Sequence, residues 1–215
     1  MRRNFTLLLT ILFASMSVGF AQKTTLGVRA GVNFSGVYEG FGAKHFRSNL
    51  KTGLNVGFNA EVPVATRFYL QPGLLFSTKG YSVKAWKTVA KLCYIELPVN
   101  LIFKSNWGSG KLLLGAGPYL ATAVGGSFRS EDSDGESDFE FEEDITWDQA
   151  LTYTEYRKRL DGGVNFLVGY EFVSKLSLQL NGQLGLLNIS PTIEGESFYN
   201  SDKNIGFSLS VGYRF

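Results

Sequence analysis

The chain has a single histidine and a single cysteine, so any chemistry it performs must run mainly on carboxylates, hydroxyls and amines. His45 has Ser48 close by, but no motif there orders a nucleophile, a base and an orienting carboxylate. A lone histidine in such a stretch is ordinarily a solvated loop residue. Five charges at strand-like spacing come next: Arg29, Glu61, Glu96, Glu171 and Arg214. Gathered in one lumen they could conduct ions, or they could pair with one another and only hold structure. The third candidate is residues 131–144, dense in Asp and Glu. Oxygen ligands so crowded could hold Ca²⁺, and Asp132, Asp134 and Gly135 resemble the start of a calcium loop, yet the spacing of an EF-hand is not met. The ordinary reading is a solvated, mobile loop; between the two stands a loop that shares divalent cations with anionic surface lipid or repels other anions, with Arg157, Lys158 and Arg159 near enough to neutralise it in part. No catalytic, cofactor-binding or metal-ligating residue is assigned, and the expectation is a non-enzyme without a cofactor.

The elements that carry these residues read as strands, because apolar residues recur at period two. In 204–215, Ile205, Phe207, Leu209, Val211, Tyr213 and Phe215 alternate with Gly206, Ser208, Ser210, Gly212 and Arg214. Seven more segments behave alike: 25–35, 52–62, 67–77, 92–103, 111–124, 162–172 and 176–188. Each puts Leu, Val, Ile or Phe on one face and Gly, Asn, Gln, Ser or a charge on the other. Cys93 falls on the apolar face as a small filler. Eleven to thirteen residues per strand, at about 3.3 Å per residue and a tilt of about 45°, span close to the ~25 Å apolar band of a membrane barrel.

The connections alternate in length as such a barrel requires. Short ones fall at 63–66, 104–110 and 173–175, long ones at 36–51, 78–91, 125–161 and 189–203. The expected fold is all-β: an eight-stranded antiparallel up-and-down transmembrane β-barrel with short periplasmic turns, long extracellular loops and both termini on the periplasmic side. Trp107, Tyr213 and Phe215 suit an interfacial aromatic girdle, while Trp86 and Trp147 sit in long loops. A soluble barrel of the lipocalin type would turn the apolar face inward. Against it, glycines such as Gly27, Gly31, Gly53, Gly57, Gly115, Gly117, Gly163 and Gly169 share a face with the charges, as a narrow, crowded lumen demands.

Residues 1–21 read as a secretory signal cut before Gln22, with Arg2 and Arg3 ahead of an apolar core and small residues at the cut. Their loss cancels the net charge of +2, so a basic-protein argument for nucleic-acid binding fails. The domain expected is then a single outer-membrane barrel, 22–215, with an acidic extracellular loop at about 125–161. A single cysteine allows no internal disulfide. High glycine (25) against few prolines (5), with 14% aromatics, fits strands and tight turns.

Residues 27–35, 68–76, 94–98 and 114–119, with Arg29, Gly31, Asn33, Gln71, Gly73, Glu96, Pro98, Gly117, Pro118 and Tyr119 in them, resemble the PorT-like family of outer-membrane β-barrels in the family's order. That resemblance implies an eight-stranded barrel in the outer membrane of a diderm bacterium, similar in architecture to small OmpA- and OmpX-like barrels. It carries no activity over. The family's founding member is associated with assembly of a protein secretion system, so the resemblance also implies an accessory secretion role for this chain. The function expected from the residues themselves is structural or adhesive, through the extracellular loops. A narrow cation-preferring pore and a lipid-modifying enzyme compete with it. Expected partners are outer-membrane lipid and an extracellular or secretion-system protein met through the loops, with no nucleic acid, and the chain is expected to be a monomer.

Overall fold

A computed structural model describes residues 24–41, 44–83, 88–129, 136–152, 154–196 and 200–215. The leader expected at 1–21, Trp86 and residues 131–135 of the acidic run lie outside the described residues, as does the side chain of His45. The elements are β1 (Thr25–Phe41), β2 (Lys44–Arg47), β3 (Asn49–Ala65), β4 (Phe68–Val83), β5 (Thr88–Trp107), β6 (Gly110–Arg129), β7 (Glu136–Asp138), β8 (Glu140–Phe141), β9 (Asp144–Ile145), the helical turn α1 (Trp147–Ala150), β10 (Tyr156–Arg157), β11 (Leu160–Glu171), β12 (Leu176–Gly185), β13 (Thr192–Ile193) and β14 (Asn200–Arg214).

Eight of these strands form a closed ring. Each of β1, β3, β4, β5, β6, β11, β12 and β14 pairs antiparallel with its neighbour, and the ring shuts where β14 meets β1 and β11 meets β6. Closure leaves no sheet edge, the only way a sheet can satisfy its backbone in lipid. The β1–β14 seam runs without a shift from Gly27↔Arg214 to Phe41↔Asn200, so alternation is kept in phase across the junction.

The apolar face points outward all round. Leu26, Leu54, Phe58, Leu97, Leu120, Phe166, Leu180 and Leu209 are each more than half exposed, a face that only an apolar surround stabilises. The inward faces bury Asn33, Asn55, Glu61, Gln71, Glu96, Asn100, Asn165 and Gln179. A lipocalin-like interior is the reverse of this. At one end the turns are short, 66–67, 108–109 and 172–175, and aromatics collect there: Tyr170 stacks edge-on to Phe172 with ring centroids 5.0 Å apart, and Tyr213 to Phe215 at 5.3 Å.

Several lumenal glycines prove necessary for a reason more local than crowding by side chains. A Cβ at Gly163 would run into the Leu184 carbonyl of β12, and one at Gly117 into the Val99 carbonyl of β5. The strongly coiled wall of a narrow barrel brings neighbouring backbones against the inner face at these points.

The strands also outrun the expected lengths. Strands β5 and β6 have 20 residues each, about 50 Å of wall at ~3.3 Å per residue and ~40° tilt, roughly twice the apolar band. The described ladder reaches into the long loop expected at 78–91, since β4 and β5 stay paired to Val83↔Thr88. The turn expected at 104–110 tightens to 108–109, and the insertion expected at 125–161 begins only after Arg129 and ends at Leu160. The ladder continues above the membrane with Tyr81, Ala90, Leu92 and Phe128 turned inward and buried, although the outward positions there no longer show a regular apolar alternation.

Candidate functional site

The charges meet in the lumen in two layers. Near the turn end, β5 aims Lys104 inward, with its Nζ 2.7 Å from Glu61 Oε2 and 2.7 Å from Glu171 Oε2. Arg214 Nη2 lies 2.9 Å from Glu61 Oε1, and Gln71 Nε2 donates to the same oxygen at 3.2 Å. Tyr69 sits beneath the ammonium, 5.0 Å from ring centroid to Nζ. Two cations thus face two carboxylates, with aromatic support on one side.

Above this layer Ile102, Leu113 and Leu167 close together, all buried, with Tyr69 packed against them. Higher still, Lys79 Nζ lies 2.9 Å from Glu96 Oε1 and 3.2 Å from Asp161 Oδ2. Asp161, fully buried, also accepts from Tyr119 Oη at 3.2 Å and Asn204 Nδ2 at 2.9 Å. Gln183 Nε2 donates to Glu96 at 3.2 Å. The rings of Tyr94 and Tyr119 flank the ammonium at 5.1 and 4.9 Å.

Of the five charges expected inside, Glu61, Glu96, Glu171 and Arg214 join these layers, and Arg29 lines the cavity between them. Lys79, Lys104 and Asp161 are the members that sequence reasoning missed. All three fall within the connections expected at 78–91, 104–110 and 125–161, whereas the wall extends far enough to make them lumenal. Odd–even parity reaches two of them once a strand is carried past its last hydropathic signal: Lys79 continues Leu75 and Ser77, and Lys104 continues Asn100 and Ile102.

The acidic insertion is not simply solvated. Where described, it folds across the mouth: β7 pairs with β6, β8 with β10, and β9 with β13. Phe139 is buried in one cluster with Val37, Tyr81, Tyr94, Tyr119, Phe128 and Ile189. Arg157, expected to neutralise the acidic run, instead enters the lumen, reaching Asp202 Oδ2 at 2.5 Å, Tyr81 Oη at 2.5 Å and Ser190 Oγ at 3.1 Å. Burial alone would lower its pKa, but Tyr81, Asp202 and Glu155 outweigh burial and raise it, so this anchor stays charged at any ordinary pH. Arg159 stacks on Phe141, 4.8 Å from the centroid. Asp144 accepts from Thr192 Oγ1 at 2.6 Å and Gly195 N at 2.8 Å, and these bonds hold its carboxyl below the ordinary carboxylate value.

Carboxylates clamped between cations make poor bases or metal ligands, and no group of three or more His, Cys, Asp or Glu among the described residues could hold a metal ion. Ser48 is occupied in the wall. It interrupts the run from β2 to β3, and its Oγ accepts from Val37 N at 2.8 Å, closing the gap in the ladder. Cys93 stands on the outer side of β5, half-buried, at a bulge opposite Gly125.

The family model for the outer membrane protein beta-barrel domain matches residues 20–191. No curated protein matches the chain. Among solved structures, the attachment invasion locus protein Ail of Yersinia pestis, crystallised with the heparin analogue sucrose octasulfate, is similar at 13% identity, covering 90% of this chain and 100% of Ail, TM-score 0.44. Neisserial surface protein A is similar at 11% identity with the same coverages and a TM-score of 0.48. The N-terminal barrel of OprF from Pseudomonas aeruginosa is similar at 14% identity, covering 86% of this chain and 97% of that one, TM-score 0.32. With a closed ring, an apolar exterior and a family model spanning most of its length, the chain belongs to the outer membrane protein beta-barrel domain family and resides in the outer membrane.

Proposed function

We propose that this barrel is a non-catalytic anchor whose capped extracellular face makes contact with a partner outside the cell. The observation that carries the reading is the order built into the cap: the insertion between β6 and β11 is pinned by Phe139 and Arg157 into the mouth, leaving Glu140, Asp148, Leu151 and Trp147 on its exposed surface. A loop fastened this way offers a preformed surface, which binds with less ordering cost than a free one. Leu151 is 83% exposed, apolar area of the kind that interfaces cover. The test compares attachment of cells displaying the whole protein with cells displaying a form whose residues 130–159 are replaced by a short turn. Loss of attachment with unchanged surface amounts supports the reading, and equal attachment refutes it.

The resemblance to PorT-like barrels supports a second reading, an accessory role in protein secretion. Its segments at 27–35, 68–76, 94–98 and 114–119 lie in the barrel wall, where Gly31, Gln71, Glu96 and Tyr119 face inward. Retention of secreted cargo in a strain lacking the protein would favour this reading over adhesion.

A further inference from the structure

Between the apolar layer and the Lys79 pair lies a cavity of about 40 Å³, lined by Arg29, Asn55, Leu75, Ser77, Glu96 and Asn100 among others. Asn55 and Asn100 are 6% and 2% exposed, and the Oδ1 of each has no protein partner. Arg29 Nε has none either. The orientation of Asn55 is fixed, because its Nδ2 donates to Asn33 Oδ1 at 2.9 Å while Asn33 Nδ2 donates to Thr78 O at 2.7 Å. Turning the Asn55 amide over would set two oxygens, or two NH₂ groups, against each other.

We propose that this cavity is a water-binding site, holding a fixed cluster of roughly three waters at ~10–15 Å³ each. The choice of ligand follows from what the walls offer: two bare acceptors and one bare donor. An anion would answer Arg29 and Lys79 but face Glu96 and the amide oxygens. A monovalent cation would answer the oxygens but stand beside Arg29 and Lys79. Water donates twice and accepts twice, so a small cluster meets all three demands together. Ile102, Leu113 and Leu167 lie below it and the Lys79–Glu96–Asp161 pairs above, which slows the exchange of these waters with bulk. They belong to the wall and are not in transit through it.

The test is water-to-protein cross-relaxation NMR on deuterated, amide-protonated protein refolded in lipid nanodiscs. The expected result is cross-peaks of the sign given by long-lived water at the side-chain amides of Asn55 and Asn100 and at Arg29 Nε–H, with the Arg29 peak lost in Asn55→Leu/Asn100→Leu. Absence of those cross-peaks in the wild type, or persistence of the Arg29 peak in the double variant, overturns the site. Saturable chloride-dependent shifts at Arg29, with no water peaks at the asparagines, would overturn it in favour of an anion. Should the double variant not fold, Arg29→Met serves the same purpose, and the wild-type spectrum is decisive by itself.

Discussion

At the scale of single residues, Glu61 is the most exacting position in the barrel, because it holds Lys104 and Arg214 at once. Glu61→Ala leaves Lys104 and Arg214 to share Glu171 alone, at 2.7 and 3.8 Å, and the expected loss is about 3 kcal/mol in urea unfolding from lipid, the low end for breaking a buried pair. Glu61→Gln, which keeps hydrogen-bond capacity, should lose less, and equal losses would mean the ion pairs are incidental. Leu113→Ala should cost about 2–5 kcal/mol by leaving a void between Ile102 and Leu167. The lumenal place of Glu61 is legible in its alternation with Ala60 and Val62, but its partner is not. Lys104 lies just past the last apolar residue of its segment, and the ladder that continues beneath it leaves no hydropathic trace. Leu113 takes the inward side by its parity with Gly115 and Gly117, but its apolar partners Ile102 and Leu167 on other strands are set by barrel register, which the sequence does not show.

At the scale of elements, all eight wall strands are legible in the sequence, since lipid on one side and a polar lumen on the other enforce strict alternation. Their upper ends are not. Above the bilayer the outer face of the wall meets water while the inner face packs under the cap, so the lipid-facing half of the alternation fades where Gly125, Gly126 and Ser127 pair with Cys93, Leu92 and Lys91. The cap is less legible still, because it rests on two residues, Phe139 and Arg157, set in a run whose composition reads as solvated. Phe139→Ser should free the cap, with faster proteolysis confined to 130–159 and unchanged heat-modifiable mobility of the barrel. If cleavage there stays slow, Phe139 is not the pin. The contact of β9 with β13 titrates through Asp144. Its folded pKa lies below the ordinary 3.8, so the carboxylate's contribution is fully present above that value and fades as pH falls through the lower, folded one. The cap should therefore keep its protection at pH 5 and lose part of it near pH 3, whereas Asp144→Asn should show no such acid step.

At the scale of the whole molecule, the lumen is filled from the Lys104 layer to the mouth by paired charges, an apolar layer and the cap, and its charges largely cancel within each layer. Eight strands enclose a bore that side chains can fill, and here they do, so traffic through the barrel is not its expected use. The most direct test is single-channel conductance of the refolded protein in a planar bilayer, with and without residues 130–159, once heat-modifiable mobility has shown that each form is folded. The expected result is silence from both forms, because the layers around Leu113 and Lys104 remain when the cap is gone. Steady openings from the full-length barrel would contradict a filled lumen and move the function from the loop face into the bore.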